Sequence, residues 1–121
     1  MVSGVTNGDR PLRKKTDTIR RLNDAFRAGR ADLGQYLATP GINELGEGAV
    51  QNIAERVRQF DDFSRDNDPR GEHDFGSFDY EGQKIFWKID YYNPALDGGS
   101  EDPADPAVTV RVLTVMLASE Y

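Results

Sequence analysis

Apolar residues recur at helical spacing near the start of the chain. Ile19, Leu22 and Phe26 are three and four residues apart, which places their side chains on one face of a helix. Thr16 is a residue type that caps helix starts, and Gly29 is one that often ends a helix in the left-handed conformation. The pattern therefore predicts a first helix between these two residues. Its apolar face is narrow, so packing against other elements must hold it in place.

A second helix is predicted from about Glu47, because apolar residues again recur on one face. These residues are Val50, Ile53, Ala54, Val57 and Phe60. Between the two helices, residues 33–39 are short and ambiguous, and the pair Pro40-Gly41 then stops any regular element. We interpret residues 33–39 as a short strand.

The strongest local pattern is a β-hairpin over residues 73–91 that turns on Glu81-Gly82. A two-residue loop that ends in Gly suits a type I′ turn, and pairing Tyr80 with Gln83 fixes the register. One face should then lie in the core, with Trp87 over the space that Gly76 leaves. This core face carries Phe78, Ile85, Trp87 and Ile89. The other face is mixed in polarity and carries Phe75, Ser77, Asp79, Lys84, Phe86 and Lys88.

The last strand is predicted after a loop over residues 93–107, which holds Gly98-Gly99 and two Asp/Pro pairs. Its apolar residues first lie on one face of the strand and then on the other. They are Val108, Val110 and Val112, followed by Leu113, Val115 and Leu117. Either a β-bulge near Val112-Leu113 or burial on both faces explains this change. We expect the strand to be central in its sheet.

The order helix, short strand, helix, hairpin, strand predicts an α+β fold. We expect a small antiparallel sheet of three to four strands with two helices packed on one face. Residues 1–15 lack apolar periodicity and are interpreted as a flexible N-terminal arm, and residues 16–121 as a single domain. The mixed face of the hairpin is then the natural place for a partner to dock.

Composition supports a folded chain and narrows its chemistry. Only 37% of the 121 residues are hydrophobic and 30% are charged, but six Phe, five Tyr and one Trp supply a core. The absence of cysteine excludes disulfides and thiolate chemistry. No segment is apolar for long enough to span a bilayer, and the first residues lack the pattern of a signal peptide. We therefore expect a cytoplasmic protein with no membrane contact and no cofactor.

The net charge of −6 is unevenly distributed. Residues 1–58 hold ten Lys or Arg against seven Asp or Glu, whereas residues 59–121 hold five against fourteen. The basic residues of the first helix and the arm before it could reach phosphates, although a solvated face that meets the acidic half is the simpler interpretation. The candidates for nucleic-acid contact are Arg13, Lys14, Lys15, Arg20 and Arg21.

The acidic stretch, residues 61–74, precedes the hairpin. Its segment from Asp66 to Gly71 resembles the opening of a calcium loop. Arg70 occupies the fifth position and Ser77 the twelfth, where oxygen ligands belong. We therefore favour a loop held by Asx turns over a calcium site.

His73 is the only histidine in the chain. The predicted register places Asp90 opposite it, and an Asp that orients a His is typical of general bases and of metal sites. A metal or acid-base site would consist of His73, Asp74 and Asp90, with Glu72 as a further oxygen ligand. The alternative is a cross-strand ion pair that fixes the hairpin register. No motif of a known enzyme class favours catalysis.

Six blocks of residues are spaced as in a known bacterial family. They are residues 60–63, 66–69, 71–76, 86–92, 102–106 and 111–117. The chain resembles the domain-of-unknown-function family 3768 from about Ile19 onward. The resemblance implies no activity, cofactor or catalytic residue. It implies a context of proteobacterial plasmids and phage-related elements, where small acidic proteins often inhibit host defence.

These observations favour a non-enzymatic acidic module that binds a basic protein surface, plausible as a mobile-element inhibitor of an anti-CRISPR or anti-restriction type. Carboxylates spaced like phosphates would enter a basic nucleic-acid channel, and aromatic residues of the mixed face would anchor the partner. The predicted contact residues are Asp61, Asp62, Asp66, Asp68, Glu72, Asp74, Phe75, Phe86 and Tyr92. The alternatives are a metal-dependent hydrolase or nuclease centred on His73, and a nucleic-acid-binding accessory protein that uses the basic helix.

Overall fold

The computed structural model describes residues 9–121, with side chains from residue 13 onward. Its order is α1 (Asp9–Ala28), β1 (Gly34–Ala38), α2 (Pro40–Asn43), α3 (Glu47–Arg58), β2 (Phe75–Tyr80), β3 (Gln83–Tyr92) and β4 (Val110–Leu117). Single 3₁₀ turns cover Ala31–Leu33, Pro106–Val108 and Ala118–Glu120. The predicted α+β class is confirmed.

Helix α1 begins at Asp9, earlier than the predicted start at Thr16, which lies inside the helix. Residues 9–15 were assigned to the flexible arm and are helical instead. Arg and Lys are good helix formers. The remainder of the predicted arm lies outside the described residues. The predicted end is correct, because Gly29 follows with a φ of 127°.

The hairpin has the predicted register. Gly76 pairs with Trp87 and Tyr80 with Gln83. Glu81 and Gly82 have φ values of 48° and 82°, and two successive positive values are the requirement of a type I′ turn. Local turn chemistry was therefore sufficient to position these two strands.

The sheet has the order β1-β4-β3-β2, so the apolar strand β4 is central as predicted. Strand β3 is antiparallel to β2 and to β4, but β1 is parallel to β4. The prediction of a wholly antiparallel sheet was therefore wrong. Helices α2 and α3 and the hairpin lie between β1 and β4 in the chain. A connection of that length allows two neighbouring strands to run in the same direction.

Strand β4 pairs with β3 without interruption from Val110 to Leu117. The change of parity therefore reflects burial on both faces, and the alternative of a β-bulge was wrong. Leu113 and Val115 lie in the core beneath the helices, whereas Val112 and Met116 are buried on the opposite side.

The core lies between the sheet and helices α1 and α3. Its largest member is Trp87, which is fully buried. The other buried apolar residues of this cluster are Phe26, Leu33, Ile42, Ile53, Val57, Ile85, Ile89, Leu113 and Val115. The helices therefore cover one face of the sheet, which we call the covered face. The other face, which we call the open face, carries the side chains of Leu37, Phe75, Phe86, Lys88, Asp90, Tyr92, Val112, Thr114 and Met116.

Candidate functional site

The acidic stretch does not present all of its carboxylates to solvent. Asp61, Asp62 and Asp66 are exposed, but Asp68 is 8% exposed. Its two carboxylate oxygens accept from the backbone N–H of His73, at 3.2 and 3.3 Å. This carboxylate is therefore used to hold the loop, and its contact with a partner stays a prediction.

The middle of the acidic stretch is a turn held by Asn67. Its Oδ1 accepts from the backbone N–H of Ser64 at 2.7 Å, and its Nδ2 donates to the carbonyl of Asp62 at 2.7 Å. These side-chain to backbone bonds are the Asx-type contacts that the sequence predicted. Across residues 13–121, no group of three His, Asp or Glu side chains has the geometry to hold a metal ion.

His73 does not meet Asp90. It has a φ of 56°, so the chain turns before β2 begins and the ring lies on the covered side. Its Nδ1 is 2.8 Å from Asp24 Oδ1, its Nε2 is 3.7 Å from Asp68 Oδ2, and the ring stacks on Phe63 at 3.8 Å.

Asp90 lies on the open face, where its carboxylate contacts Lys88 Nζ at 2.9 Å. The proposed site of His73, Asp74 and Asp90 is therefore not assembled, and the prediction of a His73–Asp90 cross-strand pair is also wrong. The prediction extended the paired residues of the hairpin to a position two residues before the start of β2.

Asp74 lies at the start of β2 with its carbonyl accepting from the N–H of Ile89 at 2.8 Å, as the predicted register requires. Its carboxylate accepts from Arg70 at 2.8 Å and its side chain is 13% exposed. Burial raises the pKa of Asp74, and the charge of Arg70 opposes this increase. Asp74 is therefore a partly buried ion-pair partner, with little of its carboxylate left for a partner protein.

A buried polar network that the sequence analysis missed joins α1 to the sheet. Arg111 is fully buried in β4, and its Nε donates to Asn23 Oδ1 at 2.6 Å. Asn23 Nδ2 donates to the hydroxyl of Tyr91 at 2.8 Å, and that hydroxyl donates to Glu72 at 2.8 Å. Burial raises the pKa of Tyr91 and lowers the pKa of Arg111. Glu72 is thus a structural acceptor in this network.

One signal in the sequence pointed to this network. Arg111 interrupts an apolar strand, and its spacing from Leu113 places it on the covered face. A buried arginine needs hydrogen-bond acceptors. The acceptors of Arg111 belong to Asn23 and Pro103, which lie 88 and 8 residues away in the chain, so no local pattern identifies them.

The basic residues of α1 divide into two groups. Lys15 is 3.3 Å from Asp102, and Arg20 donates to Asp17 at 2.7 Å and to the carbonyl of Gly71 at 3.2 Å. These contacts support the interpretation in which the basic helix meets the acidic half. Arg13, Lys14 and Arg21 are exposed, and their contact with nucleic acid stays a prediction.

The open face carries the predicted aromatic residues and adds others. The ring centroids of Phe75 and Phe86 are 5.4 Å apart, and Tyr121 lies 5.4 Å from Phe86. Leu37 and Leu96, which the sequence analysis missed, are 48% and 45% exposed. No sequence pattern could place these two leucines on the open face. Leu37 joins this face through the parallel pairing of β1 with β4.

Two grooves cross the open face. A groove of about 450 Å³ lies between Leu37, Tyr92 and Tyr121, over Val112 and Met116. A second of about 260 Å³ adjoins it between Tyr92 and Leu96. Tyr121, at the end of the C-terminal 3₁₀ turn, packs against Phe75 and Phe86 at one side of this surface, and no α-helix of the described residues lines either groove.

Charge at the open face is mixed and mostly neutralised. Lys88 is paired with Asp90, and the hydrogen bond that Lys88 donates to Asp90 raises the pKa of Lys88. Glu120 accepts from Thr39 at 2.7 Å and from the N–H of Gly41 at 2.9 Å, and the hydrogen bond from Thr39 lowers the pKa of Glu120. The face therefore offers apolar area with a small number of fixed charges.

The fold and this surface together define a small α+β protein whose sheet is covered by helices on one face only. In the described part of the chain, no helix is long and apolar enough to cross a membrane. A sequence model of the family described as protein of unknown function (DUF3768) matches residues 38–120, and the chain belongs to this family. The resemblance is confirmed, although the match begins at residue 38 rather than near Ile19. No curated protein and no solved structure matches the chain.

Proposed function

We propose that the protein is a non-enzymatic binding module that docks a partner protein on the open face of its sheet. The observation that carries the proposal is the exposure of large apolar side chains around two grooves that no α-helix of the described residues lines. Leu37, Tyr92, Leu96 and Tyr121 are between 36% and 73% exposed there. Clustered exposed apolar residues mark interaction sites on soluble proteins, and aromatic residues dominate binding hot spots.

A protein fits this face better than a nucleic acid. Stacking platforms for single strands combine aromatic rings with a positively charged groove that follows the phosphates. Here the nearby cations are Lys84 and Lys88, and Asp90 neutralises the second of them. The aromatic residues therefore lack the charge that a phosphate backbone needs.

The charges around the face favour a basic partner. Glu120 lines the larger groove beside the ion pair of Lys88 and Asp90, and Asp97 follows Leu96 at the smaller one. A further groove of about 460 Å³ beside β2 has three carboxylates and two cations in its lining, which are Asp61, Asp62, Asp79, Arg56 and Lys84. A partner with basic residues around an apolar patch would meet complementary charge on both sides.

The finer proposal is that this partner belongs to a host defence complex, so that the protein acts as an anti-CRISPR or anti-restriction inhibitor. It rests on the mobile-element context that the family resemblance implies. Proteins of such complexes have the basic surfaces with which the exposed carboxylates of the acidic stretch would compete.

Affinity purification from a proteobacterial lysate, with quantification by mass spectrometry, tests the proposal. The double variant Leu37→Ser/Tyr92→Ser should lose a basic protein that the wild type enriches. Tyr36→Ser is the matched control, since it removes a half-exposed tyrosine from the same edge strand but from the opposite face. Binding should also weaken as salt rises from about 0.1 to 0.5 M. Equal enrichment by wild type and double variant would contradict the proposal.

A second copy of this chain is the competing occupant of the open face. Light scattering after size-exclusion chromatography separates the two possibilities. A monomeric wild type leaves the face free for another protein. A wild-type dimer that the double variant makes monomeric would overturn the proposal.

A further inference from the structure

A separate cavity of about 320 Å³ lies on the covered side of the sheet, at the edge strand β1. The C-terminal ends of α1 and α3 meet there. Its apolar lining includes Phe26, Val57 and Leu113, which are buried residues of the core. Exposed Tyr36 and Arg58 mark the side on which it opens to solvent. This volume is at the lower end of the range for small-molecule sites.

The charge of this cavity is opposite in sign to that of the chain. The residues that line it include two arginines, Arg27 and Arg58, and no carboxylate, although the chain has a net charge of −6. Arg58 forms no hydrogen bond and no ion pair within the part of the chain whose side chains are described. Its five N–H donors are therefore available to an acceptor from outside the protein.

Arg27 is held by partners inside the protein, except at its buried Nε, which has no hydrogen-bond partner among the described residues. Its NH1 donates to the carbonyls of Val57 and Phe60, both at 2.9 Å, and its NH2 donates to Asp24 at 3.1 Å. The C-terminal carbonyls of a helix carry partial negative charge, about half an elementary charge in sum. Because Asp24 and these carbonyls hold Arg27, the unpaired positive charge at the cavity is that of Arg58.

Tyr36 supplies a second donor at the opening. Burial raises the pKa of its hydroxyl to about 12, and the charge of Arg58 partly opposes this increase. The hydroxyl therefore keeps its proton at neutral pH and can donate a hydrogen bond. Tyr36 and Arg58 both line the opening of this one cavity, so both can face the same anion.

We propose that this cavity binds a small amphipathic carboxylate. Its apolar group, of the size of one aromatic ring, would lie against Phe26, Val57 and Leu113. Its carboxylate would accept from the Arg58 guanidinium and the Tyr36 hydroxyl at the opening. A neutral ligand of the same shape would gain the apolar contacts but not these charge-assisted hydrogen bonds.

Phenylacetate and its neutral analogue phenylacetamide are suitable probes for titration by calorimetry and by two-dimensional NMR. Wild-type protein should bind phenylacetate with saturation and phenylacetamide roughly tenfold more weakly. Shifted amide resonances should include those of residues 26–36 and 54–58. Absence of saturable phenylacetate binding at about 10 mM, or equal affinity for the two probes, would overturn the proposal.

Two variants separate the charge from the cavity. Arg58→Gln should weaken phenylacetate binding roughly tenfold and leave phenylacetamide binding unchanged. Arg56→Gln is the matched control, because it removes the same charge from the same helix at a residue that does not line the cavity and instead lies over Phe78. Ala54→Phe should fill the cavity and abolish binding of both probes. If Arg56→Gln weakened binding as much as Arg58→Gln, a long-range field rather than this site would be responsible.

Discussion

The two faces of the sheet are built from the same strands but serve different ends. On the covered face, Trp87, Ile85 and Ile89 are at most 3% exposed, and a polar network around buried Arg111 ties the sheet to α1. On the open face, Tyr92 is 36% exposed and Tyr121 73%. Successive residues of a strand point to opposite sides, so one strand serves both faces. The covered face stabilises the fold, and the open face leaves large apolar side chains exposed.

Strand β4 is an exception to this difference in exposure between the two faces. Val112 and Met116 point to the open face and are nevertheless buried, at 8% and 4% exposed. Both line the larger groove, so its floor consists of side chains that are already packed in the free protein. A partner would therefore contact a preformed surface, which lowers the entropic cost of binding.

The largest difference between the faces should appear when one aromatic residue is removed from each. Trp87→Ala should lower the free energy of unfolding by roughly 3 to 5 kcal/mol, because it leaves a large cavity in the core. Tyr92→Ala should change it by no more than about 0.5 kcal/mol. Urea denaturation followed by circular dichroism measures both. Similar losses would show that the open face also holds the fold together.

A smaller effect is expected from crowding the covered face. A Cβ at Gly76 would contact the indole nitrogen of Trp87 and lie 2.8 Å from Phe60 Cε2. Gly76→Ala should therefore cost roughly 1 to 3 kcal/mol by overpacking. Gly48→Ala is the control, since a Cβ there meets nothing within 4 Å and Ala favours the helix. It should be neutral or stabilise by up to about 1 kcal/mol, and the same denaturation experiment would contradict the argument if both variants behaved alike.

The smallest effect concerns pH at the margin of the covered face. Burial raises the pKa of Asp74 in the folded protein above its unfolded value, so the folded state holds this proton more tightly. Stability is therefore lost as the pH rises through the folded pKa. Asp74→Asn should gain stability relative to wild type between about pH 3.5 and pH 7, by on the order of 1 kcal/mol or less.

Asp66→Asn is the control for this experiment, because it removes an exposed carboxylate from the same acidic stretch. The unfolding free energies of the three proteins, measured across the pH series, should diverge more for Asp74→Asn than for Asp66→Asn. A difference between Asp74→Asn and wild type that stays constant with pH would contradict the assignment.

Much of the fold could be predicted from the sequence because its determinants are local. The turn at Glu81-Gly82 specified the hairpin and its register, and apolar spacing specified the second helix and the central strand. The candidate site was predicted only in part. The alternation of side chains along the strands was sufficient to assign three residues to one face, namely Phe75, Phe86 and Tyr92. Leu37 lies on the same face because β1 pairs with β4, and no local pattern predicts that pairing.

The acidic stretch shows why charge alone was a poor guide to the site. Asp68 and Glu72 resemble Asp61 and Asp66 in the sequence, but they are used as acceptors inside the protein. Their partners, His73 N–H and the Tyr91 hydroxyl, are fixed by a turn at positive φ and by the docking of α1 on the sheet. Burial of a charged group depends on acceptors and donors that are distant in sequence.

The sequence by itself determined helix α3, the end of α1, the hairpin and the burial of β4 on both faces, since these follow from steric preferences and from the spacing of apolar residues. It did not predict α2, which begins at Pro40, where a stop to regular structure was expected. Tertiary structure alone decided three further features: the parallel placement of β1, the inward turn of His73 and the burial of Arg111. Each depends on contacts between residues far apart in the chain, whose energies are settled only when the helices pack on the sheet. The division of the sheet into a covered and an open face is the joint result, because alternation sets the two faces and the helices select which one is buried.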